Sequence, residues 1–567
     1  MRASCSSVMA GVAASRGRGA CGARGPASHR RDRVGPAWAV LLATTVALGL
    51  LVVPASLQAQ ASDPWRLSSE ARRAISDWDY ERAATVVEQA TGRFPDHPGT
   101  RWARGELMYH LGEYEEAVRQ LNLALQDAAG QPWEVPLRTL HELVSNTAQT
   151  VSGYERYVSP DGLFVILHEP RDAVLMPWAA ATLEAAWYQI GYSVGYWPED
   201  PVRVEIFPRA SLLSVVSSLP AEAVETTSTI GLCKYNKLMF ASPRAAARGY
   251  PWRDTLAHEY VHYVISRATR NRVPVWLHEG IAKYLESRWT GAWDAPLNPS
   301  REDLLGRRLD AGDFITFEEM SPSIALLPSQ EDAALAYAEV YTVIEYLVLR
   351  RGHGAIRELL VAIRDGATPE EAFAIVAGED WPVFERNWMA WLRNERPRVQ
   401  VPGTFDDEEI VLRESGGEQA ENAELAGMRS PQARDFMHLG ELLRARGQIR
   451  AAIREYRKAE ALMGAHHPVV QNGMARALLD TGEPERALAA LRDVVRWYPT
   501  YYLSHLNRAD ALNRLGRHDD ALIELEAAVS INPFDPRVHE QFAVAFDALG
   551  RPDDALRARD NARRVEP

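Results

Sequence analysis

The sequence predicts an α+β fold: a central domain with a small sheet followed by helices, between two all-α arrays of helical hairpins. Two observations support this prediction. Glycine and alanine positions recur every 34 or 35 residues near the C-terminus, with a related repeat before the centre, and strand-like apolar runs occur between the two repeating regions. With 46% apolar and 25% charged residues, the 567-residue chain has a globular composition, which excludes wholesale disorder.

The first 61 residues have the pattern of a targeting segment. Seven arginines precede an apolar run from Ala37 to Val53, and the Ala-Gln-Ala sequence at 59–61 suits signal-peptidase cleavage before Ser62. The alternative is an uncleaved membrane anchor, because 17 apolar-run residues lie at the lower limit for a spanning helix. Both interpretations predict an extracytoplasmic protein, periplasmic or secreted, which contacts a membrane only if this segment is retained.

Charge and cysteine content argue against a nucleic-acid-binding protein and against a disulfide-stabilised one. The formal net charge of −13 comes from an acidic body, since the arginine-rich first 61 residues are themselves basic. This balance argues against a nucleic-acid partner. Only three cysteines occur, and cleavage would leave Cys233 alone, so we expect no disulfide within the mature chain.

The last third of the chain contains a regular repeat. Four glycines fall 35, 34 and 34 residues apart, and four alanines follow them at the same steps. They are Gly447, Gly482, Gly516 and Gly550, with Ala452, Ala487, Ala521 and Ala555. A glycine that ends one helix and an alanine that lets the next approach closely favour helical hairpins. The pattern resembles the tetratricopeptide repeat, which implies four stacked units over 431–567 that bind a protein partner.

The same signature occurs before the central region. The segments at 79–83 and 113–117, Asp-Tyr-Glu-Arg-Ala and Glu-Tyr-Glu-Glu-Ala, lie 34 residues apart. They predict an N-terminal array of tetratricopeptide-like repeats at 62–150, with two hairpins at about 65–132 and an extra helix. Two repeats are marginally stable alone, so we expect them to pack against the central domain.

Residues 155–398 follow a different pattern. Leu163–Leu167 and Val202–Ile206 predict strands, and Ile230–Ala241 predicts one or two more. A helical stretch separates the first two strands, and most of the remaining region is helical, which defines the α+β layout. Residues 399–430, rich in Glu, Gly and Pro, predict an acidic linker to the C-terminal repeats.

The strongest motif for chemistry is His-Glu-Tyr-Val-His at 258–262. On a helix, His258 and His262 share a face, so both imidazoles can reach one metal ion. Glu259 is then placed to reach a water on the metal rather than the ion itself. This is the HExxH arrangement of zinc hydrolases. The competing interpretation is a coincidental pair on a packed helix, and the apolar flanks of the motif argue against it.

A carboxylate in the next predicted helix completes a ligand set. Sixteen residues separate His262 from Glu279, which leaves room for the first helix to end and for a turn to bring the carboxylate back. Two imidazoles and one carboxylate leave a fourth position for water, as a catalytic zinc site requires. His278 and Glu286 are competing candidates for the third ligand.

The residues from Trp276 to Tyr284 resemble the pattern in which gluzincin metallopeptidases of the peptidase-MA-like group carry their third ligand. The resemblance implies a zincin-like catalytic domain at 155–398, in which Zn²⁺ is held by His258, His262 and Glu279. It also implies that Glu259 is the general base of peptide hydrolysis.

A second stretch is similar to the helix on which aminopeptidase relatives carry a transition-state tyrosine. This stretch, Tyr-Ala-Glu-Val-Tyr at 337–341, aligns the tyrosine of the family pattern with Tyr337. The resemblance implies that its phenol donates a hydrogen bond to the developing oxyanion. Tyr341 is an alternative, and a core position is the competing interpretation for both.

The sequence departs from the aminopeptidase branch in one motif. Where that branch has Gly-x-Met-Glu-Asn, this chain has Gly-Leu-Cys-Lys-Tyr at 231–235, so removal of single N-terminal residues is not supported. We expect Ile230–Phe240 instead to form an edge strand that pairs with an extended substrate. Cys233 is expected to be a structural thiol.

These expectations describe an extracytoplasmic zinc metallopeptidase that hydrolyses peptide bonds and whose repeats recruit substrate or partner proteins. The alternative is a non-catalytic tetratricopeptide-repeat adaptor whose central domain binds zinc or is degenerate. A cleavage assay on a mixed peptide library would separate the two hypotheses: the peptidase should cleave until a zinc chelator is added, and the adaptor should not cleave.

Overall fold

The computed structural model describes residues 63–293, 295–403, 405, 409–414, 425, 428 and 430–566. The predicted targeting segment and much of the predicted acidic linker lie outside these residues. The described chain is mostly helical and contains one small mixed sheet. This confirms the predicted combination of a small sheet with helical regions on both sides.

Five helices form the N-terminal array. They are α1 (Pro64–Ser76), α2 (Tyr80–Arg93), α3 (Pro98–Leu111), α4 (Tyr114–Leu125) and α5 (Glu134–Thr150). Gly105 lets α3 and α4 pack closely, because a Cβ atom there would lie 2.7 Å from Leu121 Cγ. The array therefore consists of two helical hairpins followed by one helix.

The sheet contains five strands in the order β1-β2-β3-β5-β4. They are β1 (Glu155–Val158), β2 (Phe164–His168), β3 (Val202–Phe207), β4 (Gly231–Lys234) and β5 (Lys237–Ala241). Strands β2, β3 and β5 run parallel, whereas β1 and β4 are antiparallel to their neighbours. Strand β4 is therefore at one edge, joined to β5 by Tyr235 and Asn236, which both have positive φ.

Helices cover both faces of the sheet. Helices α6 (Met176–Val194) and α9 (Trp252–Thr269) share one buried apolar cluster with the strands. The short helices α7 (Leu212–Val216) and α8 (Ala221–Thr227) contribute to a second cluster with β3 and β5. All five residues of β5 are buried, as expected for a strand that is covered on both faces.

Six further helices complete the central region. They are α10 (Val275–Leu285), α11 (Pro299–Ala311), α12 (Gln330–Arg351), α13 (Gly354–Arg364), α14 (Pro369–Ala377) and α15 (Trp381–Asn394). Gly280 allows α10 to approach α12, because a Cβ atom there would lie 2.7 Å from the Val340 carbonyl oxygen. Phe384, Trp388 and Trp391 of α15 are buried, so this helix packs as part of the core.

The C-terminal array consists of four helical hairpins. Its helices are α16 (Pro431–Ala445), α17 (Ile449–Met463), α18 (Pro468–Asp480), α19 (Pro484–Trp497), α20 (Tyr502–Arg514), α21 (His518–Val529), α22 (Pro536–Ala548) and α23 (Pro552–Val565). The four repeating glycines lie between the two helices of each hairpin with positive φ, and the four repeating alanines are fully buried. The glycines thus form the turns between the helices, and the alanines lie where the helices pack against each other.

The prediction of an extracytoplasmic protein, anchored where the N-terminal segment is retained, is wrong. No helix of the described residues is long and apolar enough to cross a membrane. The longest of them, α12, has 22 residues but carries buried and half-buried acidic groups such as Glu339 and Glu345. The apolar run from Ala37 to Val53, on which the prediction rested, lies outside the described residues.

Candidate metal centre

Helix α9 places two histidines on one face. His258 and His262 lie one turn apart, and their ring centroids are 4.7 Å from each other. The apolar neighbours of the motif are fully buried: Leu256, Tyr260, Val261 and Val264. These side chains hold the helix against the core, and the two imidazoles face a cleft.

Helix α10 brings a carboxylate to both histidines. Glu279 Oε2 lies 3.3 Å from His258 Nε2 and 3.1 Å from His262 Nε2. The two histidine nitrogens are 3.1 Å apart. We call His258, His262 and Glu279 the ligand triad. Within the described part of the chain, it is the group of His, Cys, Asp and Glu side chains arranged to hold a metal ion.

The spacing of the ligand triad suits one tetrahedral cation. Zinc binds nitrogen and oxygen at about 2.0–2.2 Å, so two such ligands at a tetrahedral angle lie about 3.4 Å apart. The three edges of the triad measure 3.3, 3.1 and 3.1 Å. Without a cation or protons between them, these atoms would point lone pairs at one another in a buried place. The donor set therefore fits a divalent cation with one coordination position left for water.

The competing ligand candidates contact the other side of the histidine rings. Glu286 Oε2 lies 3.1 Å from His258 Nδ1. His278 Nδ1 lies 2.5 Å from His262 Nδ1. Contacts at Nδ1 fix the orientation of each ring and leave Nε2 for a metal. The structure thus places both candidates behind the ligand triad rather than in it.

The charges around the ligand triad control its protonation. Burial lowers the pKa of His258, but the hydrogen bonds and charges of Glu279 and Glu286 outweigh burial and raise it to about 10. Burial raises the pKa of Glu279, and the two histidines bring it well below its usual range. Burial lowers the pKa of His278 to about 3, so this ring is neutral at physiological pH. A cation that binds the triad must therefore displace protons from it.

Glu259 lies beside the ligand triad without joining it. The residue is 5% exposed, and its Oε2 has no hydrogen-bond partner among the described residues. Burial raises the pKa of Glu259, although both histidines oppose this shift. Gly231, the first residue of β4, makes room for the carboxylate, because a Cβ atom there would lie 2.7 Å from Glu259 Oε1. The edge strand and this carboxylate are thus in direct contact.

The two tyrosine candidates on α12 differ in their surroundings. The ring centroid of Tyr337 lies 6.0 Å from that of His258. The Tyr341 hydroxyl instead donates a hydrogen bond of 2.9 Å to the Ala295 carbonyl oxygen. Burial, with the nearby carboxylates of Glu279 and Glu259, raises the pKa of Tyr337 well above its usual value. Its phenol therefore keeps its proton and can act as a hydrogen-bond donor.

A cleft of about 1340 Å³ surrounds the ligand triad. This exceeds the roughly 300–1000 Å³ of small-molecule pockets and leaves room for a peptide. Residues of both helical arrays line it, including Trp78, Glu106, His110, Thr500, Ala527 and Ser530. These residues could not be predicted from the sequence, because contacts between distant segments leave no local pattern.

Cys233 lies on β4 and lines the same cleft. Its thiol is free, and burial, together with the charge of Glu259, raises its pKa well above the usual value. A thiol that keeps its proton is a poor nucleophile and a poor metal ligand. This surrounding suits the expected structural role.

Two known families match parts of the chain. Residues 193–394 match the Peptidase MA superfamily. Residues 69–132 and 472–536 match the tetratricopeptide repeat. The predicted peptidase-MA-like region and the predicted repeats are thus both found. The first match indicates a peptidase hydrolase, and the second indicates protein–protein interaction.

The comparison with solved structures gives weak alignments. MamA is 19% identical, with a TM-score of 0.22, over 27% of this chain and 90% of that chain. Yeast Tom70 is 12% identical, with a TM-score of 0.24, over 89% of this chain and 85% of that chain. The APC/C hetero-tetramer Cut9–Hcn1 is 12% identical, with a TM-score of 0.25, over 90% of this chain and 80% of that chain. No curated protein matches the sequence.

Proposed function

We propose that this chain is a zinc-dependent peptidase that uses water to hydrolyse peptide bonds in a protein or peptide substrate. The observation that carries the proposal is the ligand triad, whose three donor atoms lie 3.1–3.3 Å apart beside the buried carboxylate of Glu259. The Peptidase MA match over 193–394 supports the reaction class. In this proposal the site is of the gluzincin type, with two histidines and a glutamate as ligands.

The ligand triad would hold the zinc ion, and residues behind it would keep the ligands in place. When bound, zinc lowers the pKa of a coordinated water to about 7 and polarises a carbonyl group. Glu286 accepts a hydrogen bond from His258 Nδ1, and His278 contacts His262 Nδ1. The Glu286 contact favours the His258 tautomer with its proton on Nδ1, and the His278 contact orients the His262 ring. In both rings Nε2 is the atom that faces the ligand triad.

Glu259 acts as the general base and then as the general acid. Its carboxylate takes a proton from the attacking water as the water oxygen bonds to the scissile carbonyl carbon. It passes this proton to the nitrogen of the leaving amine as the C–N bond breaks. Burial raises the pKa of Glu259, so the protonated form that must donate is accessible.

Tyr337 would stabilise the oxyanion that develops on the scissile carbonyl. Its ring lies beside His258, on the neighbouring helix α12. Because its pKa is raised well above the usual value, the phenol donates a hydrogen bond without losing its proton. Tyr341 is less suited to this role, since its hydroxyl already donates to Ala295.

The substrate would bind as an extended chain along β4. This strand is at the edge of the sheet, and its first residue contacts Glu259. An exposed edge offers backbone donors and acceptors to an added strand, which recognises the peptide main chain rather than particular side chains. The repeats would recruit the protein that carries this chain segment.

The Glu259→Gln variant tests the proposal. We expect it to bind zinc as the wild-type protein does, but to cleave a mixed peptide library about 10²- to 10⁴-fold more slowly, because the general base is lost. Glu358→Gln, at an exposed position on α13, is the matched control and should cleave like wild type. Full activity of Glu259→Gln would overturn the mechanism. Zinc binding without any cleavage by the wild-type protein would favour the non-catalytic adaptor.

A further inference from the structure

The C-terminal array is attached to the start of the helix that carries the ligand triad histidines. Trp252 Nε1 donates a hydrogen bond of 2.9 Å to the Val529 carbonyl oxygen. The Trp252 backbone N–H donates one of 3.2 Å to the Ser530 carbonyl oxygen. Arg253 forms an ion pair of 3.2 Å with Glu526 on α21. These contacts join the last turn of α21 to the first turn of α9.

The N-terminal array is attached to the other end of the same helix. Arg267, in the last turns of α9, donates 3.0 Å to the Trp78 carbonyl oxygen and pairs with Glu81 at 2.7 Å. The tip of the β4–β5 hairpin also reaches this array, where Asn236 Nδ2 donates 3.2 Å to the His110 carbonyl oxygen. Helix α9 is therefore held at both ends by repeat arrays.

Both attachments bring array residues into the wall of the cleft. Ser76 ends α1, and Ala527 lies on α21; each lines the cleft that surrounds the ligand triad. The sites of chemistry lie deep within it, because His258 is 8% exposed and Glu259 is 5% exposed. A peptide bond in an extended, unfolded segment can reach such buried groups, whereas one packed inside a fold must first be exposed by local unfolding.

We infer that the two repeat arrays form subsites of the cleft itself, and that the substrate is an unfolded polypeptide segment long enough to contact them. This inference rests on the proposed peptidase function and narrows its substrate class. The arrays then select for chain flexibility and length at the site, in addition to any recruitment at their outer surfaces.

Substitutions that fill the array walls test this inference. Ala527→Trp and Ser76→Trp add bulk at the two walls. Ile523→Trp, at a position 69% exposed on the same helix α21, and Ala84→Trp, at an exposed position on α2, are the matched controls. The probes are random peptides of about 4 and about 12 residues, which extend over about 13 and 40 Å.

We expect Ala527→Trp and Ser76→Trp to raise the KM for the longer peptides about tenfold, and to raise it less for the short ones, because only long chains reach the walls. The control variants should match wild type on both lengths. Wild-type protein should also cleave reduced, carboxymethylated lysozyme and spare native lysozyme. Equal KM changes for wall and control variants, or equal cleavage of both lysozyme forms, would overturn the inference.

Binding measurements separate this inference from the proposed function. In the Glu259→Gln background, fluorescence anisotropy reports the affinity for the labelled longer peptides without any cleavage. Weaker peptide binding in the wall variants, together with no cleavage by the wild-type protein, would support the array subsites and reject the proposed peptidase activity. Cleavage with unchanged binding in the wall variants would support the hydrolase and reject the array subsites.

Discussion

Two buried polar clusters can be compared in this protein. The first, which we call the ion-pair cluster, joins Glu205 and Lys237 of the sheet to Tyr114 of the N-terminal array. Lys237 Nζ lies 2.9 Å from Glu205 Oε2 and donates 2.8 Å to the Tyr114 hydroxyl, which in turn donates to Glu205. The second is the ligand triad with Glu259 beside it.

The difference lies in how the polar atoms are paired. In the ion-pair cluster every charged group has an opposite charge or a donor against it, which is how buried charges are made tolerable in a folded core. In the ligand triad, three lone-pair-bearing atoms converge, and the neighbouring Glu259 Oε2 has no partner among the described residues. A saturated cluster serves stability, whereas the converging ligand atoms must share protons or bind a cation.

The largest expected effect breaks the saturated cluster. Lys237→Met leaves the Glu205 carboxylate buried without its counter-charge, so we expect the free energy of unfolding to fall by about 3–5 kcal/mol. Urea denaturation followed by circular dichroism measures this change. Zinc content per folded chain should stay at the wild-type value.

The control replaces the whole cluster. The triple variant Tyr114→Phe, Glu205→Leu and Lys237→Met leaves no buried polar group unpaired, so most of the lost stability should return. A triple variant as unstable as the single one would show that this cluster does more than pair charges.

The next effect concerns the oxyanion. Removing the phenol in Tyr337→Phe should lower kcat about 10²- to 10³-fold and leave zinc binding unchanged, because the lost hydrogen bond forms only in the transition state. Tyr341→Phe is the comparison variant; it loses the bond to Ala295, and should cost about 1 kcal/mol of stability with little change in kcat. If Tyr341→Phe caused the larger loss in kcat, the two roles would be exchanged.

A smaller effect tests the support behind the ligand triad. Glu286→Gln weakens the hydrogen bond at His258 Nδ1, so we expect zinc affinity to fall about 10- to 100-fold while the fold is retained. Competition with a chromogenic chelator measures this affinity, with Glu358→Gln as the control. Unchanged affinity would mean that Glu286 does not orient the ligand.

The last effect concerns the pH dependence of stability and uses another buried carboxyl, that of Glu339, for which burial outweighs the charge of Arg308. Glu339 is 1% exposed and accepts a hydrogen bond from the Ile315 backbone N–H, and burial raises its pKa to about 8. The folded state thus holds a proton that the unfolded state loses above its lower pKa of about 4.5. Stability contributed by this group should therefore decline as pH rises from about 4.5 to about 8.

Thermal unfolding across this pH range gives the measurement. The Glu339→Gln variant should lack this part of the decline, because an amide does not titrate. Parallel pH profiles for the wild-type and variant proteins would show that Glu339 is ionised in the folded state.

The sequence allowed prediction of the elements that depend on local spacing. A four-residue step on a helix places His258 and His262 together, and the motif around Glu279 pointed to the returning carboxylate. The repeats at both ends were predictable because each hairpin needs a small residue at the same place. The domain boundaries at 62–150, 155–398 and 431–567 remain predictions.

Contacts between distant segments were not predictable in the same way. Val202–Ile206 alternates apolar and charged residues, yet Glu205 is fully buried, where Lys237 of a neighbouring strand pairs with it. The contact between Gly231 and Glu259 and the attachment of both arrays to α9 depend on tertiary packing, which leaves no periodic signal.

The measurement that tests the account most directly is the zinc content of purified protein, determined by elemental analysis after equilibration with zinc. The account predicts about one tightly held zinc ion per wild-type chain, and almost none in folded Glu279→Ala or His262→Ala protein, because each variant removes one of three ligands. Wild-type zinc content in either variant would contradict the ligand triad as the metal site.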